Sequence, residues 1–238
     1  MFVNSKFYLF LRNSFVSPLL KPIWRKYYQT SRHRKFKKYA KEALMKIKTT
    51  LDENNATFWL DFGTLLGAIR VSGFLSHDCD MDLGAFASQS DLVSKAIKSD
   101  PLFVVSHEYF VNDSLAQLSF EYKGLNIDIA FYHHDKKKDY LIYNYICYYD
   151  KDLSKDIEGN KYKVAVMRST VPFEGTKIIR FNEIDVNIPK NAESYLEADY
   201  GPDYMIPNKN WDYLNDAPNV FKYPKSELYG ICVLNKEV

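Results

Sequence analysis

Hydrophobic positions follow two rhythms along the chain. From Phe36 to Leu51, apolar residues recur every three or four positions, at Phe36, Tyr39, Ala40, Ala43, Leu44, Ile47 and Leu51, while Lys35, Lys37, Lys38, Lys41 and Lys48 take the other faces. That spacing predicts an amphipathic helix. The period then drops to two. Residues 57–62, TFWLDF, are β-branched and aromatic and end at Gly63, which predicts a strand, and Thr64 to Val71 suit a short helix. Alternation is strict over residues 79–86, CDMDLGAF; Ser88 or Ser90 can cap a helix that runs to Ser99 and stops before Pro101. Further strands are predicted over 103–110, 116–122, 125–132, 140–149, 163–168 and 177–187, and a helix over 191–200. Residues 133–139 and 150–160 read as surface connections, and the Pro-, Asn- and Asp-rich tail over 201–226 as irregular. The order of helix, strand, helix, strand, helix and then mostly strands predicts an α+β fold, a mixed sheet flanked by helices.

Composition supports one dominant domain. The 238 residues are 46% hydrophobic, enough for a core, and nothing in them suggests disorder, collagen, coiled coil or a repeat array. Cys79, Cys147 and Cys232 stand in no disulfide-framework, redox or zinc spacing and read as reduced thiols of a cytoplasmic protein. The net charge of +2 hides an asymmetry: residues 1–50 hold 13 Lys and Arg against the single acid Glu42, giving +12, and the remainder carries −10. A basic arm on an acidic body attracts polyanions. Residues 7–27 interleave bulky aromatics and leucines with Arg12, Lys21, Arg25 and Lys26, a pattern suited to an anionic membrane surface. No uncharged run approaches the roughly 18 residues needed to span a bilayer. The division expected is therefore a basic, aromatic N-terminal arm and helical extension over 1–34 and a body over 35–238. The arm lies on the inner face of the membrane, packs on its own body or meets a partner protein; its Phe and Leu content argues against nucleic acid.

The chemistry concentrates in HDCDMDLGAF, residues 77–86. An extended chain puts Asp78, Asp80 and Asp82 on one face and Cys79, Met81 and Leu83 on the other. Successive carboxylates then stand about 6.6 Å apart and, at an effective dielectric near 20, repel by roughly 2.5 kcal/mol per pair. Divalent cations remove that cost, and Asp oxygens are hard ligands suited to Mg²⁺ or Mn²⁺; the bland alternative is a hydrated strand. Upstream, Phe62-Gly63-Thr64 is a strand end that turns into a helix and can offer N–H groups and a hydroxyl to a phosphate. Arg70 is a planar donor for phosphate oxygens. Asp61 either orients this turn or merely ends the strand. Downstream, Asp128 is a lone acid between Ile127 and Ile129 on a predicted strand, expensive there unless paired or metal-bound. Two carboxylates on one strand and a third on its neighbour would hold two ions about 3.5–4 Å apart around a phosphate.

The run FWLDFGTLLGAIRVSGFLSHDCDMDLG, residues 58–84, resembles the signature of the LicD/fukutin family of the nucleotidyltransferase-fold superfamily. The superfamily elements are Gly63-Thr64, Asp80-Met81-Asp82 and the later Asp128; the family additions are the LLGAIR helix over 65–70 and Asp78. A second block, IPKNAESYLEADYGPDYMIP at 188–207, resembles the family's C-terminal pattern. The resemblance implies a nucleotidyltransferase fold and a metal-dependent phosphotransferase. Such an enzyme moves phosphocholine, glycerol phosphate or ribitol phosphate from a CDP-activated donor to a hydroxyl of a surface polysaccharide or glycolipid, and CMP is released. Asp80 and Asp82 would ligate two Mg²⁺ or Mn²⁺ ions, Asp128 would complete the site or accept the acceptor's proton, and Gly63, Thr64 and Arg70 would hold the donor phosphate. Asp78 and Asp61 would support the cluster.

Two other readings stand beside this one, nucleotidyl transfer that leaves NMP on a small molecule, RNA or protein, and a non-enzymatic polyanion-binding or scaffold protein. The Tyr-rich run over 140–149 could cage a quaternary ammonium or simply be strand. His133 and His134 could move protons or sit at the surface. Trp211 and Asp212 could form a lid or an inert wrap.

Overall fold

The computed structural model describes residues 17–153 and 157–235, with side chains from Gln29 onward except that of Ile157. The proposed membrane contacts of the arm's aromatic and leucine side chains lie outside the described residues. In chain order the elements are α1 (Ser17–Glu53), β1 (Phe58–Leu60), α2 (Phe62–Val71), β2 (Asp80–Phe86), a 3₁₀ turn (Ala87–Gln89), α3 (Ser90–Ser99) and β3 (Phe103–Val111). There follow β4 (Ser114–Tyr122), β5 (Leu125–His134), β6 (Leu141–Tyr148), β7 (Ile157–Glu158), β8 (Lys161–Pro172), β9 (Thr176–Phe181) and β10 (Ile184–Pro189). The chain closes with α4 (Ala192–Tyr200), β11 (Val220–Lys222) and β12 (Tyr229–Leu234). This is an α+β fold.

The apolar stripe of α1 is buried as its spacing predicts, at Phe36, Ala40, Ala43, Leu44, Ile47 and Leu51, and the helix packs on β2, β5 and α3. It runs unbroken across the boundary drawn at residue 34. Among the described residues no helix is long and apolar enough to cross a membrane.

A ten-stranded sheet forms the body. Strand β2 runs parallel to β5, with Asp80 opposite Asn126, Asp82 opposite Asp128 and Gly84 opposite Ala130. Every other pairing is antiparallel. Beyond the end of β2, His133 and His134 of β5 pair with β6 instead. The pairings β5–β4–β3–β12–β8–β6–β5 therefore close a circuit, and the sheet curls around an interior.

Three local expectations are corrected. The strand expected over 57–62 ends at Leu60, because Asp61 caps α2 by accepting the Phe62 N–H at 2.9 Å. The strand expected over 177–187 is a hairpin of β9 and β10, turned at Asn182 and Glu183, whose φ values are 47° and 66°. The tail over 201–226 is irregular except for β11, and β12 after it fills the gap between β3 and β8.

Trp59 of β1 is fully buried, with ring centroids 5.1 Å from Phe86, 5.5 Å from Tyr132 and 5.2 Å from Phe173. It pairs with Gly84, where an added Cβ would lie 2.4 Å from the indole. Gly84→Ala is expected to lower unfolding free energy by about 2–3 kcal/mol in chemical denaturation, since the surrounded ring has nowhere to move. A second change, Trp59→Phe, should recover part of the loss; a single variant as stable as wild type would show that the ring can shift.

Candidate active site

Strand β2 separates two environments. Met81, Leu83 and Ala85 are fully buried in the core, while Asp80 and Asp82 face a cavity of about 940 Å³. On β5, Ile127 and Ile129 are fully buried and Asp128 points into the same cavity. The period-two pattern of each strand thus puts its acids on one side, and the parallel register sets Asp82 beside Asp128. Gly63 lies at this point too: an added Cβ would stand 3.4 Å from the Asp82 carboxylate, so glycine leaves that oxygen uncovered. Its neighbour Phe62, also on the cavity wall, has φ of 39°, a left-handed conformation that is costly for an aromatic residue.

Charge is strongly unbalanced here. Burial, then Asp80, Asp128, Asp61 and Asp78, raise the pKa of Asp82 well above the carboxylate range. Burial first, and Asp80 next among the repulsive groups, raise that of Asp128. Asp128 Oδ1 accepts from the Ser119 hydroxyl and from Gln117 Nε2 at 3.1 Å. The Asp82 carboxylate accepts no hydrogen bond among the described residues. Arg32 on α1 supplies the opposing charge, with Nη2 donating to Asp80 Oδ2 at 2.8 Å and a side chain 10% exposed. The next residue, His33, shares a hydrogen bond of 2.8 Å between Nδ1 and the Asp78 carbonyl.

The sequence reading singled out neither Arg32 nor His33. The available signal was that Arg32 lies four residues before Phe36, in line with the apolar stripe of the helix.

Asp78 precedes β2 and accepts the Leu75 N–H at 2.7 Å, so the carboxylate row on the strand is Asp80 and Asp82, and Asp78 closes the turn before it. Burial, and next among the repulsive groups Asp80, push Asp78 up to about 7. Thr64 is buried, and its hydroxyl oxygen accepts the Asp82 N–H at 2.9 Å, tying α2 to β2. Arg70 faces the tail, donating to the carbonyls of Tyr204 and, at 3.3 Å, Ile206. Asp61 is fully buried; its carboxylate accepts from the Phe62 N–H, from Tyr132 at 2.8 Å and from Tyr195 at 2.9 Å.

Tyr143 and Tyr145 lie on the face of β6 away from the cavity, where Tyr143 stacks on His133 at 5.3 Å and takes Arg168 over its ring. Tyr148 and Tyr149 line the cavity. Trp211 lines it as well, 5.4 Å from the Tyr200 ring, while Asp212 is exposed and caps its own turn.

Among the described residues, no three His, Cys, Asp or Glu side chains already form a metal cage, since Asp80 is held by Arg32 and Asp128 by Ser119 and Gln117. The donor set nonetheless suits a hard divalent ion: carboxylates only, crowded by mutual repulsion, with Asp82 unbonded.

Residues 55–191 match the model of the nucleotidyltransferase domain described as LicD/FKTN/FKRP. The chain belongs to the LicD/FKTN/FKRP family. It is 31% identical over 189 residues to ribitol-5-phosphate transferase FKTN of Mus musculus, covering 78% of this chain and 37% of that protein. Against the Homo sapiens protein of the same name, identity is 30% over 189 residues with the same shares. A shorter similarity, 39% over 59 residues, covers 24% of this chain and 19% of the uncharacterized protein RT0683 of Rickettsia typhi. The chain thus spans well under half the length of its FKTN relatives. The matched LicD/FKTN/FKRP segment contains the Gly63 turn, Asp80, Asp82 and Asp128; Arg32 lies before it and Asp199 after it.

Burial, opposed by three hydrogen bonds, raises Asp61 from 3.8 to about 6. A carboxyl whose folded pKa exceeds its unfolded value holds more protons when folded, so its contribution to stability is full at low pH and is lost as pH rises from about 4 towards 7. Relative to Asp61→Asn, wild type is expected to lose on the order of 3 kcal/mol across that window. Paired denaturation curves at several pH values check this; a difference constant with pH would mean that Asp61 stays ionised.

Proposed function

We propose that the protein transfers a substituted phosphate from a CDP-activated donor to a hydroxyl of a glycan, with release of CMP. The observation that carries the reading is Asp82 set beside Asp128 across parallel strands, next to an uncovered Gly63, on the wall of a cavity large enough for a nucleotide diphosphate adduct. The name of the FKTN relatives favours a polyol phosphate over phosphocholine as the transferred group.

Asp80, Asp82 and Asp128 would hold Mg²⁺ or Mn²⁺. Such an ion, when bound, neutralises charge on the phosphoryl oxygens and on the leaving CMP. The other contributions come from the chain. Gly63 lets the donor phosphate approach β2 closely, and Thr64 keeps that turn fixed to the Asp82 backbone. Arg32 supplies a fixed positive charge beside the acids. Arg70 holds the segment that leads to Trp211 at the cavity wall. In the transfer, the acceptor oxygen bonds to the phosphorus that carries the substituent, the bridging bond to CMP breaks, and the acceptor proton leaves to a base. Asp128 has one oxygen tied by Ser119 and Gln117 and a second for the ion or for that proton. The basic aromatic N-terminal segment supports attachment to the inner face of a membrane where lipid-linked acceptors are built.

The test is CMP release from CDP-ribitol, CDP-glycerol and CDP-choline, with and without Mg²⁺ or Mn²⁺. Folded Asp82→Asn is expected to lose at least about 100-fold in turnover. Near wild-type turnover would remove the mechanism, and nucleotide label retained on the acceptor would indicate nucleotidyl transfer instead. For Asp128→Asn, a lost acid limb in the pH profile assigns the proton, and weakened Mn²⁺ affinity assigns the ion.

A further inference from the structure

Away from the acids, the same cavity is walled by a second polar group that the proposed transfer does not use. Asn144 of β6 and Ser169 of β8 are directly paired across the two strands, and Asn219 lies just before β11, whose Val220 is opposite Ser169. Asp199, in the last turn of α4, packs on them. Asn219 Nδ2 donates to Asp199 Oδ1 at 2.7 Å, to Ser169 Oγ at 3.0 Å and to the Thr170 carbonyl at 3.2 Å. Three acceptors around one nitrogen fix the amide, so the Asn219 oxygen points away from them.

That oxygen has no partner, and neither does Asp199 Oδ2 nor Asn144 Oδ1. Asn144 is 1% exposed and Asp199 5%. Among the described residues these three are the only buried side-chain oxygens left unpaired, and all three residues line this one cavity. A buried polar oxygen without a partner has lost its water and gained nothing in exchange, so three on one wall form a standing cost that a ligand can relieve. The ligand must bring O–H or N–H donors to the two amide oxygens, while Asp199 Oδ2, whose pKa burial raises, takes a donor when ionised and an acceptor when protonated; a hydroxyl group supplies both. Without the ion proposed at the acids, phosphate is unsuited to this wall: among the described residues no Lys or Arg lines the cavity, and burial holds its histidine, His107, down to about 4, hence neutral. Trimethylammonium is equally unsuited, since it carries no donor hydrogen.

We propose that Asn144, Asp199 and Asn219 form a subsite that recognises neighbouring hydroxyl groups on the substrate. The subsite deepens the CDP-donor reading and rests on it for the identity of the compound that brings the hydroxyls, which are either those of the transferred polyol or those of the nucleotide ribose. Tyr200, next to Asp199 in sequence, lines the same cavity as Asp199 and Asp82, so one extended ligand can meet both groups.

The experiment compares wild type, Asn144→Leu and Asp199→Asn by calorimetric titration with CMP, CDP-choline, CDP-glycerol and CDP-ribitol, with Mg²⁺ present and acceptor absent. Asn144→Leu removes an unpaired buried group at similar volume and should leave the unfolding midpoint unchanged or raised, which separates recognition from folding. Both variants are expected to weaken CDP-glycerol and CDP-ribitol at least tenfold and to leave CMP and CDP-choline within twofold. An equal loss for all four, CMP included, supports hydroxyl recognition with the ribose as its source. Unchanged affinity for all four, or a loss confined to CDP-choline, overturns the subsite. Should wild type bind none of them, the CDP-donor reading falls, and free ribitol followed by saturation-transfer NMR decides the subsite. A signal lost in Asn144→Leu supports it, and equal or absent signals overturn it.

Discussion

The structure depends on holding like charges together at the parallel junction of β2 and β5. At a strand spacing of about 4.8 Å, two ionised carboxylates repel by roughly 3.5 kcal/mol at an effective dielectric near 20. What opposes this lies on the other side of the same strands, where Met81, Leu83, Ile127 and Ile129 are fully buried. A slip of one residue would turn these four towards the cavity and the acids into the core, so the register of the hydrophobic face enforces the crowding on the polar face. Among the described residues, protein groups relieve only part of it: Arg32 at Asp80, Ser119 and Gln117 at Asp128, and none at the Asp82 carboxylate.

Closure of the strand circuit gives this junction a cavity to face. Strand β5 gives one edge to β4 and divides the other between β2 and β6, and the handover at His133 bends the sheet back through β8 and β12 to β3. Two attachments fix the elements around the opening. Thr64 ties the start of α2 to β2, and Arg70, at the end of the same helix, ties the tail leading to Trp211. The short LLGAIR helix therefore works as a brace between the acids and the tail, which accounts for its Arg without placing it on a phosphate.

Much of this was legible because it obeys a period. The helix face from Phe36 to Leu51 and the alternation in β2 and β5 are burial patterns written directly in the chain, and they brought Asp80, Asp82 and Asp128 together as expected. Other features were not legible because they follow from packing between distant segments. Arg32 becomes a site residue only when α1 crosses β2, and Asp199 and Asn219, 20 residues apart, meet only when β11 joins β8. The hairpin at Asn182–Glu183 was readable in principle, since Asn tolerates a left-handed turn, but the apolar alternation on either side hides the break. The extent of α1 was hidden by composition: a basic, aromatic arm and an amphipathic helix read as two units, yet from Ser17 to Glu53 the backbone is one helix.

Two buried aspartates show how function separates from structure. Asp61 and Asp199 are both inaccessible, and burial raises the pKa of each. Asp61 has a backbone N–H and two tyrosine hydroxyls divided over its two oxygens, so its presence is explained by the cap on α2 and the tie to β5 and α4. Asp199 has donors on one oxygen alone, and the other oxygen lies on a wall where Asn144 and Asn219 are likewise short of donors. A fold selected only for stability would have matched these acceptors or replaced them with apolar groups. Their survival beside the strained Phe62 and the crowded carboxylates places three separate departures from local optimum around one space, where something that binds there can offset them.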